Sequence, residues 1–395
     1  FKFDLKEISL FLETTNPKLN FKEVALPVES IKVYVDFLSV LESEPKIKKI
    51  NLSLSQIEIE KLKQISFNFK PSNLNSILNN KIYGGRLNIN LELFFNENNL
   101  LEDFIAKGEV LDLNANIAKN INLNNSRFNF FADKSDILIK MFFGEIGPIK
   151  ILEGDLRVKI SSEILIESNF KTDLKLDKKT INSIKFTNST LYENLSFVKA
   201  ELNNNLSASF DKTYKLKDYN FRINGEIFKA IIDFKKPLKS DIISEELNEL
   251  VLKNSKINSN FSPKQITNKL SGKYSFNDDD FLQFNLENNN LKNKTNFKIS
   301  ANYNKAINFN IINYQKPKGS LAKLNIDFDK NNEQIKFNEI KLTHDSNLIS
   351  IKNLEIKKNK IKTFDNISIK TFNEGKENNN LDIFYREKII IKGKK

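Results

Sequence analysis

The chain has 395 residues, and its 39% hydrophobic content with 33 Phe is too apolar and too aromatic for a disordered protein. Its 62 Lys and Arg against 50 Asp and Glu give a formal charge of +12. The lysines occupy alternate positions instead of forming a cluster, which argues against a nucleic-acid-binding surface. The absence of cysteine excludes disulfides and thiolate metal sites.

Neither a secretory signal nor a membrane-spanning helix is visible in the sequence. No apolar run approaches the 18 to 20 residues, roughly, that such a helix needs. The first residues already alternate like a strand, and the last apolar run, 388–392, is interrupted by the chain end. We therefore expect this chain to be a segment of a longer protein.

Apolar residues at every second position predict strands from one end of the chain to the other. In the first half, the alternating segments are 31–37, 50–54, 86–93 and 156–160. In the second half, they are 284–286, 297–299, 307–311, 324–328 and 367–369. Short joins that carry Asn and Gly favour an antiparallel sheet over parallel strands with helical crossovers.

Helices are predicted at only a few places. Residues 240–252 are the best candidate, because Ser240 can cap the helix and an apolar stripe follows at helical spacing. Two shorter helices are predicted at 36–43 and 72–79.

Glycines indicate an internal repeat. Gly85, Gly108, Gly154, Gly225, Gly272 and Gly319 are each predicted to precede a strand. They are separated by about one, two or three units of roughly 23.5 residues, which fits one β-hairpin per unit.

The residues offer little for catalysis. His344 is the only histidine and ends a predicted strand, so we expect a surface residue and not part of a triad or zinc site. The acidic run 278–280 lacks the spacing of calcium loops and predicts a hairpin turn. Residues 83–86 do not form a phosphate-binding loop, and no carboxylate pair is singled out for glycoside hydrolysis. We therefore predict no enzymatic activity, no cofactor and no metal.

The apolar side of so many strands must be kept from water. We predict an elongated, twisted antiparallel sheet that curls into a hydrophobic groove, with one or two short helices. The predicted groove lining consists of Ile50, Leu52, Leu54, Leu87, Ile89, Leu91, Leu156, Val158, Ile160, Phe297, Ile299, Ile307, Phe309, Leu324 and Ile326.

Several segments resemble the AsmA-like proteins of Gram-negative envelopes, particularly the YhdP branch and more distantly TamB. The segments SIKVYVDFLSVL at 30–41 and PKIKKINL at 45–52 resemble the strand, short helix and strand near the start of that family. AKG at 106–108, ILEGDLRV at 151–158 and GSLAKLNIDF at 319–328 resemble its recurring glycine-led strands.

The resemblance implies a bridge-like lipid-transfer protein of the periplasm, which an N-terminal helix outside this segment anchors to the inner membrane. Its β-groove would shield phospholipid acyl chains between the inner and outer membranes, without nucleic acid or any cofactor. Residues 1–395 would form one continuous repetitive segment, with a soft division near 235–265 at the predicted helix.

Three alternatives stay open at this point. The first is a structural or adhesive β-solenoid or sandwich, whose apolar face is fully packed. An outer-membrane barrel also has alternating strands, although the chain has no Trp and only 9 Tyr for aromatic girdles. A carbohydrate-active β enzyme is the third.

Overall fold

The computed structural model describes residues 2–4, 9–118, 121–183, 194–243, 245–291, 294–331, 334–358 and 360–394. Of the structure, 73% is strand and 8% is helical. The paired strands are antiparallel, and 23 of them belong to one hydrogen-bonded sheet. The predicted all-β antiparallel fold with short helices is therefore confirmed.

The first part of the chain contains twelve strands and three short helices among its described residues. In chain order they are β1 Lys2–Asp4, β2 Ser9–Thr15, β3 Leu19–Phe21, β4 Val24–Leu26, β5 Val28–Asp36, α1 Phe37–Leu41, β6 Ile47–Glu58, α2 Ile59–Ser66, α3 Asn73–Lys81, β7 Ile82–Phe95, β8 Leu101–Ala118, β9 Ile121–Ala132, β10 Asp136–Ile146, β11 Ile149–Ile160 and β12 Ile164–Asp177.

The second part begins with the helix α4 Lys178–Ser183. Its strands are β13 Leu195–Phe210, β14 Leu216–Leu238, β15 Leu247–Phe261, β16 Gln265–Phe276, β17 Leu282–Leu291, β18 Lys294–Tyr303, β19 Ile307–Phe309, β20 Tyr314–Lys316, β21 Ala322–Lys330, β22 Gln334–His344, β23 Asn347–Lys357, β24 Lys360–Thr363, β25 Asn366–Asn373, β26 Lys376–Arg386 and β27 Lys388–Lys394. A 3₁₀ turn, Asn310–Ile312, joins β19 to β20.

The chain divides into two compact units. Unit 1 contains residues 1–173 and 203–219, and unit 2 contains 174–202 and 220–395. The boundary therefore runs through β12, β13 and β14, whereas the division expected near 235–265 falls inside unit 2.

Most strands pair with their neighbours in the chain. In unit 1 the order is β1, β2, β5, β6, β7, β8, β9, β10, β11 and β12, and the β3–β4 hairpin forms a separate two-stranded sheet. In unit 2 the order is β14, β15, β16, β17, β18, β21, β22, β23, β25, β26 and β27. Here β19 and β20 pair with each other, Ile307 of β19 also forms an isolated bridge with Ile243, and β24 adds to β23.

Two of the predicted helices are present. Asp36 caps α1 by accepting a hydrogen bond from Ser39 N at 2.9 Å. Ser72 caps α3 in the same way, accepting from Asn75 N at 3.1 Å. The sequence did not predict α2 or α4.

The predicted helix at 240–252 is wrong, because β15 begins at Leu247. Leu247 and Val251 are almost fully buried, and the adjoining Leu252 is buried as well. Adjacent side chains of a strand point to opposite faces, so β15 is covered on both sides here. A strand with two buried faces has a continuous apolar run, which also satisfies a helical pattern.

The predicted strand at 307–311 is also shorter than expected. It ends at Phe309, and the 3₁₀ turn follows.

Five of the six glycines that were predicted to precede strands lie inside them, and only Gly319 of the six precedes one, so that prediction is wrong. The reason is a close approach of backbones. A Cβ at Gly108 would lie 2.0 Å from the Asn88 carbonyl oxygen, and one at Gly225 would lie 2.1 Å from that of Glu201. These glycines therefore set the spacing between strands.

Alternation is interrupted at β-bulges, where a residue other than glycine has positive φ and the register shifts. Such residues are Gln56, Asp112, Asn125, Met141 and Asn254. After the bulge, the apolar residues resume on the same face at a spacing of three, as with the buried Leu54 and Ile57. The bulges thus keep one face apolar while they bend the strand.

Candidate functional site

Cross-strand pairing joins the apolar side chains of unit 1 into continuous rows on one face, called here the unit 1 apolar face. One row crosses eight strands through Ile31, Leu52, Leu91, Ala106, Ala132, Ile137, Val158 and Ile166. A parallel row runs through Leu54, Ile89, Gly108, Phe130, Ile139 and Leu156. Directly paired residues share a face of the sheet, so these rows form one apolar surface.

The structure brings the predicted unit 1 residues together on this face. They are Ile50, Leu52, Leu54, Leu87, Ile89, Leu91, Leu156 and Val158, with Ile160 at the end of β11 and 40% exposed.

Unit 2 carries a longer row, on what we call the unit 2 apolar face. It crosses ten strands through Ile257, Leu270, Leu286, Ile299, Ile326, Ile340, Ile351, Ile367, Ile383 and Ile391. Beside it, Phe297 stacks on Phe328 with ring centroids 4.8 Å apart, and Phe328 lies 5.4 Å from Phe337.

Four predicted residues of unit 2 lie on this face: Phe297, Ile299, Leu324 and Ile326. Ile307 and Phe309 do not belong to the large sheet. They stand on the β19–β20 hairpin and pack against Leu324 and its neighbours.

Ile340 was missed by sequence reasoning. Asn338 is an extra residue at a register shift, so Phe337 and Ile340 share a face three positions apart. The signal in the sequence is a step of three between apolar residues with an Asn inside it, which strict alternation rejects.

Part of the unit 1 apolar face is covered. The buried cluster that contains Leu54 and Ile57 is covered by two elements. They are α2, through Leu62, and the β3–β4 hairpin, through Leu19 and Leu26. Leu54 is only 5% exposed. The face is therefore a packed core at this end.

Residues 304–321, called here the cover segment, shield part of the unit 2 apolar face. Ile307 is buried with Tyr303, Ala322 and Leu342. Asn379 of β26 donates a hydrogen bond to Ile312 O at 2.7 Å. The segment is thus fixed by both apolar and polar contacts.

His344 is buried beneath this segment, so the expectation of a surface histidine is wrong. Its Nδ1 lies 3.0 Å from Tyr314 Oη, and burial raises the pKa of Tyr314 to about 12. His344 therefore helps to pack β20 against β22. The sequence did not predict its burial, because strand alternation does not show which other element covers a residue.

Ion pairs hold the start and the end of the cover segment against neighbouring acidic residues. Lys305 Nζ lies 2.8 Å from Asp279 Oδ2 and 3.1 Å from Glu245 Oε2, and Lys318 Nζ lies 2.7 Å from Glu245 Oε1. The hydrogen bond from Lys318 holds the pKa of Glu245 below its ordinary value. The fully buried Lys316 donates to Lys305 O at 2.8 Å, and burial lowers its pKa.

The acidic run 278–280 forms the predicted turn between β16 and β17. Asp278 pairs with Lys253 at 3.1 Å and with Lys229 at 3.4 Å, and the hydrogen bond from Lys253 lowers the pKa of Asp278. Within the described ranges, no group of three or more His, Cys, Asp or Glu side chains could hold a metal ion.

Much of the unit 2 row is only partly buried. Nine of its ten members, from Ile257 to Ile383, are half-buried, and Ile391 on β27 is 64% exposed. In a packed core, less than a tenth of the surface of such side chains would be exposed. The opposite face is polar, for example where Lys298 is paired with Glu287 and Asp327. The sheet is therefore amphipathic.

The fold and its faces define an all-β protein with an amphipathic antiparallel sheet. No family model, no curated protein and no solved structure matches the chain. In the part of the chain that the structure describes, no helix is both long and apolar enough to cross a bilayer.

Proposed function

We propose that this chain is a non-enzymatic segment of an AsmA-like envelope protein, which shields phospholipid acyl chains as they move between the inner and outer membranes. The half-buried row of the unit 2 apolar face is the observation that carries the proposal. The family resemblance of the sequence supplies the periplasmic location and the anchor outside this segment.

The dimensions of the row suit acyl chains. Nine steps between ten strands, at about 4.8 Å each, give a path of roughly 43 Å along the sheet. One leaflet's hydrocarbon is about 15 Å thick, half of a bilayer core. The path is therefore longer than one acyl chain, and a lipid could move along it without leaving apolar contact.

The energetics of transfer need no chemistry. Each methylene removed from water contributes about 0.8 kcal/mol, so an acyl chain gains from even partial contact with the row. The headgroup would stay in water beside the sheet. Direction and energy input would come from partners.

The alternative is a structural or adhesive scaffold with a packed apolar face. The covered ends favour it, since Leu54 lies under α2 and Ile307 closes part of the unit 2 apolar face. The two functions differ in whether the uncovered rows bind lipid.

The test compares aspartate substitutions at covered and uncovered positions. Ile299→Asp places a carboxylate at a half-buried site that can reach water, so we expect stability to fall by only about 1 kcal/mol while bound lipid is lost. Leu54→Asp buries an unpaired charge and should cost several kcal/mol. Ser300→Asp, on the polar face of the same strand between Asn285 and Asn325, is the matched control.

Native mass spectrometry of the purified variants would report co-purified phospholipid, and thermal unfolding would report stability. Lipid bound to wild type and to Ser300→Asp but absent from folded Ile299→Asp supports the proposal. A wild type that never carries lipid, together with an Ile299→Asp variant that unfolds, would establish the packed scaffold instead.

A further inference from the structure

Two exposed phenylalanines, Phe67 and Phe69, and the half-buried Phe21 form what we call the aromatic patch of unit 1. Phe67 is 75% exposed and Phe69 is 58% exposed, both in the loop between α2 and α3. Phe69 stacks on Phe21 of β3, with ring centroids 5.8 Å apart and an angle of 9° between the rings. Exposed aromatic rings that lie together are characteristic of interaction surfaces, so the patch indicates a partner.

The loop that carries the patch is held in place. Asn75 Nδ2 donates to Lys70 O at 3.1 Å and to Ser66 O at 3.3 Å. Asn79 Nδ2 donates to Ser66 Oγ at 3.0 Å. On its other side, α2 buries Ile59 and packs onto the unit 1 apolar face. Phe67 and Phe69 therefore point outward from a fixed support.

Basic residues flank the patch. Lys18 and Lys22 stand around the β3–β4 hairpin next to Phe21, and Lys70 follows Phe69 directly; all three are exposed. Over the described residues, none of the three ammonium groups lies within ion-pair distance of a carboxylate. With Lys61, Lys63 and Lys81 there are six lysines in these segments, against three acidic residues, Glu23, Glu58 and Glu60.

We infer that this patch docks on the surface of an anionic phospholipid bilayer. Exposed Phe side chains with lysines around them match an interface where apolar rings enter the headgroup boundary and ammonium groups meet anionic lipids. The long lysine stems can reach headgroups while the rings insert. The inference goes beyond lipid shielding, since it requires no lipid on the apolar faces.

Vesicle flotation tests the docking. We expect wild type to float with vesicles of phosphatidylcholine and phosphatidylglycerol, and much less with phosphatidylcholine alone. Phe67→Ser with Phe69→Ser should weaken binding by about tenfold or more, since two exposed rings no longer leave water. Lys22→Glu with Lys70→Glu should weaken binding to the anionic vesicles and reduce its dependence on salt.

The matched control is Ile311→Ser, which removes an apolar side chain that is 89% exposed elsewhere. It should float like wild type. The inference is overturned if wild type does not float with the anionic vesicles, or if the double Phe variant binds as well as wild type. It is also overturned if Ile311→Ser loses binding equally, or if wild type self-associates through the patch without binding vesicles. Lipid co-purification with Ile299→Asp is a separate readout, so docking and lipid shielding can fail independently.

Discussion

Gly144 on β10 faces the bulge at Asn125 in β9. Replacement of Gly144 by Ala tests whether close contacts between a glycine and the neighbouring strand fix the spacing of the two strands. A Cβ at Gly144 would lie 2.2 Å from Ser126 Oγ and 3.1 Å from Ser126 Cβ. Ser126 is fully buried and its hydroxyl donates to Asn124 O at 3.1 Å. The serine therefore has little room in which to move.

The magnitude follows from the overlap. Ordinary contacts of a Cβ begin at 3.4 Å, so the new methyl group would be too close by roughly 1.2 Å. Overpacking of this kind costs about 1–3 kcal/mol. The loss of glycine's freedom in the unfolded chain returns about 0.4–1 kcal/mol. We expect Gly144→Ala to lower the free energy of unfolding by about 1–2 kcal/mol.

A double-mutant cycle makes the reasoning specific. Ser126→Gly removes both close atoms, which leaves Leu123 Cδ1 at 3.2 Å, the end of a flexible side chain. Ser126→Gly with Gly144→Ala should then show a favourable coupling of about 1–3 kcal/mol in urea unfolding. Gly108→Ala is the contrast, because its neighbour at 2.0 Å is a backbone oxygen. If Gly144→Ala is as stable as wild type, or if Ser126→Gly gives no rescue, contact at the bulge does not set the spacing.

Two further predictions concern pH. Burial raises the pKa of Tyr274 from 10.0 to about 12. The unfolded chain therefore loses this proton first as pH rises, and stability falls by about 3 kcal/mol across that window. Tyr274→Phe should remove this loss of stability at alkaline pH. At neutral pH the substitution should cost about 1 kcal/mol, because the hydrogen bond to Asn302 O is lost. If the free energy of unfolding of the variant, measured with denaturant, still falls between pH 10 and 12 as in wild type, the prediction is contradicted. Asp36 has its pKa held below 3.8 by Lys48 and then by Ser39 N, so its capping contribution is present above 3.8 and lost as pH falls through the lower folded value. Asp36→Ala should cost about 1 kcal/mol at neutral pH and nothing in strong acid, as measured by the urea midpoint.

The strands could be predicted because alternation depends on nearest neighbours along the chain. Ile299 and Phe297 point to one face in any extended backbone, and pairing with Ile326 and Phe328 then follows from matching the apolar faces. The amphipathic face could therefore be predicted from the sequence without knowing which strands pair.

Coverage of that face could not be predicted, because it depends on contacts between distant segments. Leu54 and Ile299 have the same local pattern, yet α2 packs against the first, which is buried, whereas the second is only half-buried. The burial of His344 under Tyr314 is of the same kind. Bulges such as that at Gln56 also escape prediction, since one residue with positive φ shifts the pattern without a fixed residue type.

Because the strands pair in chain order, the sheet can unfold in parts and can gain or lose strands in evolution. In unit 2, β15, β16, β17 and β18 each contact mainly the strand before and the strand after. Stability in such an arrangement is close to a sum of terms between adjacent hairpins, as in repeat proteins. Sequence-local contacts also favour rapid folding from several starting points. A duplicated or deleted pair of strands would create only one new strand interface, so evolution can lengthen or shorten this sheet by whole hairpins and leave the rest of each row in register.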